Sequence, residues 1–235
     1  MRRIVLDTET TGLDPAQGHR VIEIGCVELA GRRLTERRFH SYINPERDID
    51  AGAMQVHGIT NERVAGEPLF AAIAADLVEF IRGAELVIHN AAFDVGFLDS
   101  EFDRLGLDKV AEVCAGVTDT LRMAREMRPG KRNSLDALCK DFGIDNSGRQ
   151  LHGALLDAEL LAEVYLAMTR GQESLMMELD APVAATAAVA VGERAPLRVL
   201  RASAEELAEH ERVLAEIAKE SKGKCLWLTQ AAVSA

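Results

Sequence analysis

The apolar triplet Ile4-Val5-Leu6 runs directly into Asp7-Thr8-Glu9, the pattern of a short buried strand with a polar carboxyl end. Val21 to Leu29 is rich in β-branched residues, and Gly31 marks a turn into a further strand over Leu34–Ile43. The period then changes: Phe70, Ile73, Leu77 and Ile81 recur at helical spacing. Glu85 to His89 predicts another short buried strand, followed by a helix over Ala91–Leu105. A short segment near Val117 leads into a helix over Asp119–Met127, which Pro129-Gly130 stops. Asn133 or Ser134 caps a helix reaching Phe142, and Gly143 ends it. Ala154–Met168 predicts a strongly amphipathic helix. Three strands, then strands alternating with helices, imply an α/β fold with a mixed central sheet flanked by helices.

Past Gly171 the pattern fades. Residues 181–196 are Ala/Val-rich with Pro182, Gly192 and Pro196, have no clear period, and predict a linker. Ser203-Ala204-Glu205-Glu206 is a capping box opening a helix whose narrow apolar stripe is Leu207, Leu214 and Ile217. Trp227 follows in a short apolar cluster and wants a partner surface. The expected organisation is a catalytic domain over 1–171, a flexible segment over 172–200 and a helical tail over 201–235.

The chain has 235 residues, 27 Lys and Arg against 38 Asp and Glu, and a formal net charge of -11. Tight nonspecific duplex binding through a broad basic surface is excluded, but an acidic site that meets nucleic acid through divalent metal is not. Cys26, Cys114, Cys139 and Cys225 show no CxxC spacing, so reduced thiols are expected rather than a disulfide framework or Cys-based zinc site. The amino-terminal residues lack the apolar region of a signal peptide, and the longest weakly apolar run, Ala181–Val191, is too short to span a bilayer. A soluble cytoplasmic protein is expected.

Asp7 and Glu9, two residues apart, share one face of a strand at its carboxyl end, where α/β proteins build their sites. Two converging carboxylates suit a hard cation such as Mg²⁺ or Mn²⁺. Asp94 follows a buried strand into a helix and can reach the same sheet edge. Five residues separate His152 from Asp157, about 500° of helix, so a regular helix cannot hold both on one face. Gly153 lets His152 lie on the lead-in while Asp157 sits on the helix wall. Taken singly, each has an ordinary structural explanation: a solvated strand face, an acid complementing a helix dipole, a satisfied polar residue.

In this order and on this plan, Asp7-x-Glu9, Asp94 and His152-x4-Asp157 resemble the DEDD exonuclease superfamily of the ribonuclease-H-like fold, in its His-type branch. More closely, Leu6–Gly12, Val56-His57-Gly58-Ile59, His89–Asp94, Gly130–Cys139 and Leu151–Ala158 are similar to the family of proofreading exonucleases serving bacterial DNA polymerase III. The likeness runs from Arg3 to about Gln172 and resumes near Leu197–Leu228. It implies a 3′→5′ exonuclease with two divalent ions, Mg²⁺ or Mn²⁺. Asp7, Glu9 and Asp157 would hold the metal pair, Asp94 would contribute to the second ion, and His152 would deprotonate the attacking water. Asp7, Thr8, Glu9, His57 and Asp157 would border the 3′-terminal nucleotide. Family members often carry an acid five residues before the His57 position, where this chain has Gly52.

Gly130-Lys131 does not form a phosphate loop, because Arg125 and Arg132 stand where such a loop needs Gly and Ser/Thr. Arg128, Lys131 and Arg132 either face the DNA backbone or form a solvated loop. Gln172-Glu173-Ser174-Leu175-Met176-Met177 resembles the short Gln-led peptide that binds the β sliding clamp, through Gln172, Leu175 and Met177. Leu207, Leu214, Ile217 and Trp227 would dock on the α catalytic subunit of DNA polymerase III, and a small θ-like subunit is a further candidate partner. The substrate implied is a single-stranded or frayed 3′ DNA end. An RNA-trimming relative and a catalytically silent adaptor are the alternatives. So acidic a chain would hold DNA poorly by itself, which suits delivery by a polymerase.

Overall fold

In the computed structural model of the chain, which describes residues 2–149, 151–170, 202–221 and 227, Ile4-Val5-Leu6 forms the middle of β1 (Arg2–Thr10). These three side chains are fully buried, and strand alternation sends Ile4 and Leu6 to one face and Val5 to the other. β1 pairs antiparallel with β2 (Val21–Ala30), which pairs antiparallel with β3 (Arg33–Tyr42). Two short helices follow, α1 (Ala51–His57) and α2 (Asn61–Val64), then α3 (Phe70–Ile81). On its other side β1 runs parallel to β4 (Glu85–Ile88), which leads into α4 (Ala91–Arg104) and the short α5 (Val110–Val113). β5 (Gly116–Asp119) is parallel to β4 and completes a five-stranded sheet in the order β3-β2-β1-β4-β5. It is followed by α6 (Thr120–Met127), α7 (Leu135–Phe142) and α8 (Ala154–Met168).

Helices cover both faces, as a parallel segment requires. Phe70, Leu77, Ile81, Phe97 and Phe102 of α3 and α4 pack with Ile4, Leu6, Leu86 and Ile88. Across the sheet, Val5, Val27 and Val87 meet Leu138 of α7 and Leu161 and Val164 of α8. Burying each such large side chain contributes about 1.5–3 kcal/mol, so the two layers fix where the sheet's carboxyl edge lies.

The elements with a clear period fall close to their expected positions. Ser134 proves to be the cap of α7, its hydroxyl accepting from the Ala137 N–H. Four to seven residues are too few for α1, α2 and α5 to show a period in the sequence. α8 differs from its expectation. It is buried nearly all round, with Leu160, Leu161, Ala162, Val164, Tyr165 and Met168 all in the interior, because the sheet and α7 enclose it from two sides.

The chain forms two compact units, Met1–Leu179 and Asp180–Ala235. In the second, the expected capping box opens α9 (Ala204–Glu220): the Ser203 hydroxyl accepts from the Glu206 N–H, and Glu206 accepts from the Ser203 N–H. α9 has no buried residue; Leu207 and Ile217 are exposed and Leu214 is half-buried. Among the described residues no helix is long and apolar enough to cross a membrane.

Candidate active site

Strand parity builds the site. Asp7 and Glu9 continue the face of Val5, toward α8, while Thr8 points to the opposite layer, toward α4. Asp157 lies buried in the first turn of α8, its N–H donating to the Gly153 carbonyl at 2.8 Å. Buried Glu23 of β2 fixes that helix end: its Oε2 accepts from the Ala154 N–H at 3.2 Å, and its Oε1 pairs with His40 Nε2 at 2.7 Å. A carboxylate at a helix N-terminus complements the macrodipole. Gly25, next but one on β2, permits the approach, since a Cβ there would lie 2.3 Å from the Ala154 carbonyl carbon.

Asp94 sits in the first turn of α4. The β4-to-α4 turn passes through Asn90 at φ 67°, a left-handed conformation that Asn tolerates better than most residues. Thr8 then holds Asp94 twice: its N–H donates to Oδ1 at 3.0 Å and its hydroxyl to the same oxygen at 2.7 Å.

Asp7, Glu9, Asp94, Asp157 and His152 all line one cavity of about 510 Å³, together with Leu13, Phe93 and Arg149. Glu9, His152 and Asp157 each offer a ligand atom, all within 4.8 Å of one another. His152 precedes α8, is 45% exposed, and carries Nδ1 3.4 Å from Asp157 Oδ2. A second cavity of about 450 Å³ shares Thr8, Glu9, Leu13 and Phe93 with the first and adds His57. His57 ends α1. Its Nδ1 accepts from the Ile59 N–H at 3.0 Å, so the proton belongs to Nε2, which is buried and has no hydrogen-bond partner among the described residues. Gly52 lines this second cavity with open space around it, and Asp50, the exposed cap residue of α1, lines it too.

Crowded acids shift one another's protonation. Burial, then the charge of Asp157, pushes the Glu9 carboxyl up to about 8. Burial raises Asp94 to about 7 against the lowering effect of the Thr8 hydrogen bonds. Burial and the charges of Asp94, Glu9 and Asp157 raise Asp7 well above the usual carboxylate range. His152 is held below the ordinary histidine value by burial and by the Arg149 guanidinium, and His57 by burial. Carboxylates that repel one another in a buried cluster are the donor set of a hard divalent ion, and the residues present fit that role.

Sequence reasoning did not single out Leu13, Phe93 or Arg149. Leu13 is 84% exposed and borders both cavities, and its signal was its place directly after the Asp7–Gly12 motif. Arg149 differs in kind, because nothing local distinguishes an arginine in a polar loop. His89 donates from Nδ1 to the Thr120 hydroxyl at 3.0 Å, that hydroxyl donating in turn to the Ile88 carbonyl at 3.2 Å. Arg128 and Lys131 both pair with Asp141 and, with Arg132, line a separate basic cavity that shares Ser134 and Asp136 with the first, while Gln172, Leu175 and Met177 lie outside the described residues. Trp227 is 71% exposed.

Four carboxylates and an imidazole at the carboxyl edge of a mixed sheet equip a metal-dependent nuclease. The family model described as Exonuclease (RNase_T) matches residues 4–165. DNA polymerase III subunit epsilon of Pasteurella multocida (strain Pm70) is 53% identical over 235 residues, covering 96% of this chain and 93% of the relative. The protein of the same name from Escherichia coli (strain K12) is 51% identical over 237 residues, covering 96% and 97%. Among solved structures, exonuclease X in complex with 5′ overhanging duplex DNA matches with a TM-score of 0.56 at 26% identity, covering 72% of this chain and 92% of that one. The zinc-bound E. coli ExoI–ssDNA complex matches with a TM-score of 0.65 at 21% identity, over 74% of this chain and 41% of that one, a likeness of fold alone. The chain belongs to the exonuclease family and, within it, to the family of DNA polymerase III epsilon subunits. It is a metal-dependent 3′→5′ exonuclease.

Proposed function

We propose that this chain removes mispaired nucleotides from the 3′ end of DNA during replication, as the proofreading subunit of a DNA polymerase III core. The observation that carries this reading is the convergence of Asp7, Glu9, Asp94, Asp157 and His152 on one cavity that adjoins a second bearing His57. Asp7, Glu9 and Asp157 would hold a pair of divalent ions, Mg²⁺ or Mn²⁺, with Asp94 contributing to the second. When bound, the ions supply charge that stabilises the attacking and leaving oxygens of an in-line displacement at phosphorus.

The chain's own groups do the rest. His152, neutral near pH 7, accepts the proton of the attacking water; with Nδ1–H turned toward Asp157, Nε2 is the base. His57 Nε2–H donates to an oxygen of the terminal nucleotide, satisfying a donor that otherwise lacks a partner. Thr8 and Glu9 border that nucleotide, and Leu13 and Phe93 offer apolar surface to its base.

Residues 1–171 carry the chemistry, 172–200 tether, and 201–235 dock. The exposed Leu207 and Ile217, half-buried Leu214 and exposed Trp227 support docking on the polymerase α subunit. Gln172, Leu175 and Met177 engage the β clamp, and a θ-like subunit joins the core. The protein works in the bacterial cytoplasm at the replisome. Tethering raises the nuclease's effective concentration at the primer end.

The test is incubation with 3′-labelled single-stranded DNA or RNA and Mg²⁺. Release of mononucleotides from DNA, lost in Asp157→Ala, is expected. Equal turnover of RNA with no polymerase association assigns the chain to RNA trimming instead, and no release by the unaltered chain leaves an adaptor.

A further inference from the structure

Arg149 lies in the loop between α7 and α8, yet its side chain is 6% exposed and reaches into the carboxylate cluster. Its Nε donates to Asp157 Oδ1 at 2.5 Å and its Nη2 to Asp157 Oδ2 at 2.6 Å, a two-pronged pair with a carboxylate that is itself 3% exposed. The same Nη2 lies 2.9 Å from His152 Nδ1, and Nη1 donates to Asp136 Oδ1 at 2.7 Å. One guanidinium thus ties together the proposed ligand on α8, the proposed base before it and an acid on α7.

We propose that Arg149 is the active site's resident counter-cation, holding Asp157 and His152 in the place a divalent ion takes and leaving Asp157 when that ion binds. The inference rests on the metal reading of this cluster. Both Asp157 oxygens already accept from the guanidinium, which also touches His152, and Asp157 and His152 offer ligand atoms within 4.8 Å of one another and of one from Glu9. A divalent ion there would meet a like charge at contact distance, and like charges so placed exclude each other.

The hydrogen bond to His152 points the same way. Nη2 lies 2.9 Å from Nδ1 and 3.3 Å from Nε2, so the guanidinium stands against the edge of the ring that must face the water and Asp157 for His152 to act as a base. Release of Arg149 frees Nδ1 to carry the proton toward Asp157 and Nε2 to accept one. Asp136, largely exposed and shared with the neighbouring basic cavity, gives the released guanidinium a partner at the mouth. Arg149 is therefore a positioning residue, acting through Asp157 and His152.

Isothermal titration of the full chain with Mn²⁺ tests this directly. Arg149→Met is expected to bind Mn²⁺ roughly tenfold more tightly than the unaltered chain, with a lower Tm without metal and an unchanged Tm at saturation. Equal or weaker Mn²⁺ affinity in Arg149→Met overturns the proposal, since a merely structural arginine would loosen the site when removed. If neither protein binds Mn²⁺, the metal reading itself fails. Should Arg149→Met not fold, ¹⁵N NMR of the arginine Nε–H groups in the unaltered chain decides. The protected Arg149 signal is expected to shift or vanish on Mg²⁺ saturation, and its persistence unchanged overturns the displacement.

Discussion

His152 and Glu9 show how one cavity imposes opposite shifts on two residue types. Burial favours the neutral form of each, raising the acid to about 8 and lowering the imidazole. His152→Ala is expected to lower kcat by about 10²–10⁴-fold and to remove the acid limb of the pH profile, read in steady-state assays. The raised acids also make a statement about stability. With Glu9 at about 8 and Asp94 at about 7, the folded metal-free chain keeps protons that the unfolded chain releases near pH 4. Folding therefore binds protons between those limits, and stability falls as pH rises from about 4 to about 8. Thermal melts in chelator across that range are expected to show a falling Tm that saturating Mn²⁺ flattens; a level profile without metal would refute the shifts. Leu13→Ala is expected to raise KM severalfold for single-stranded DNA with little change in kcat, because it removes apolar contact away from the reacting atoms.

At the scale of elements, the site is a meeting of three chain segments whose approach is set by backbone rather than by ligands. β2 meets the start of α8 at Gly25, and Glu23 caps that helix end. Gly25→Ala is expected to cost about 1–3 kcal/mol, as overpacking does, and to lower kcat as well by displacing Asp157 from Glu9. Denaturant titration and the nuclease assay together check this, and an unaltered kcat in a destabilised variant would show that α8 moves without disturbing Asp157. The same segments explain what was readable in advance. α3 and α4 are readable because their apolar residues face one layer, and β1 and β2 because both of their faces are covered and their apolar residues run almost without a break. α8 misleads because two layers bury it, and α1 is too short to announce itself although it carries His57.

For the whole molecule, the acidity and the two-unit division bear on the same point. A chain of net charge -11 meets polyanionic DNA against repulsion, and delivery by a partner docked on the exposed Leu207 and Ile217 of α9, as proposed above, would offset it. Deleting residues 197–235 is expected to abolish association with the polymerase, measured by gel filtration, while mononucleotide release by the remainder persists. Loss of both activities would contradict separable nuclease and docking functions.

The sequence by itself determined the α/β class, the order of the strands and the longer helices, and the carboxylates and imidazole available for chemistry. Each of these is local: a period, a cap, a pair of acids two residues apart on a strand. Only the tertiary structure decided that Asp94 is held by Thr8 from the far side of β1, that Glu23 anchors α8, and that Arg149 pairs with both oxygens of Asp157. Those contacts join residues 8 to 131 positions apart in the chain. Their partners are chosen by packing geometry and mutual charge, which no single segment of the sequence encodes.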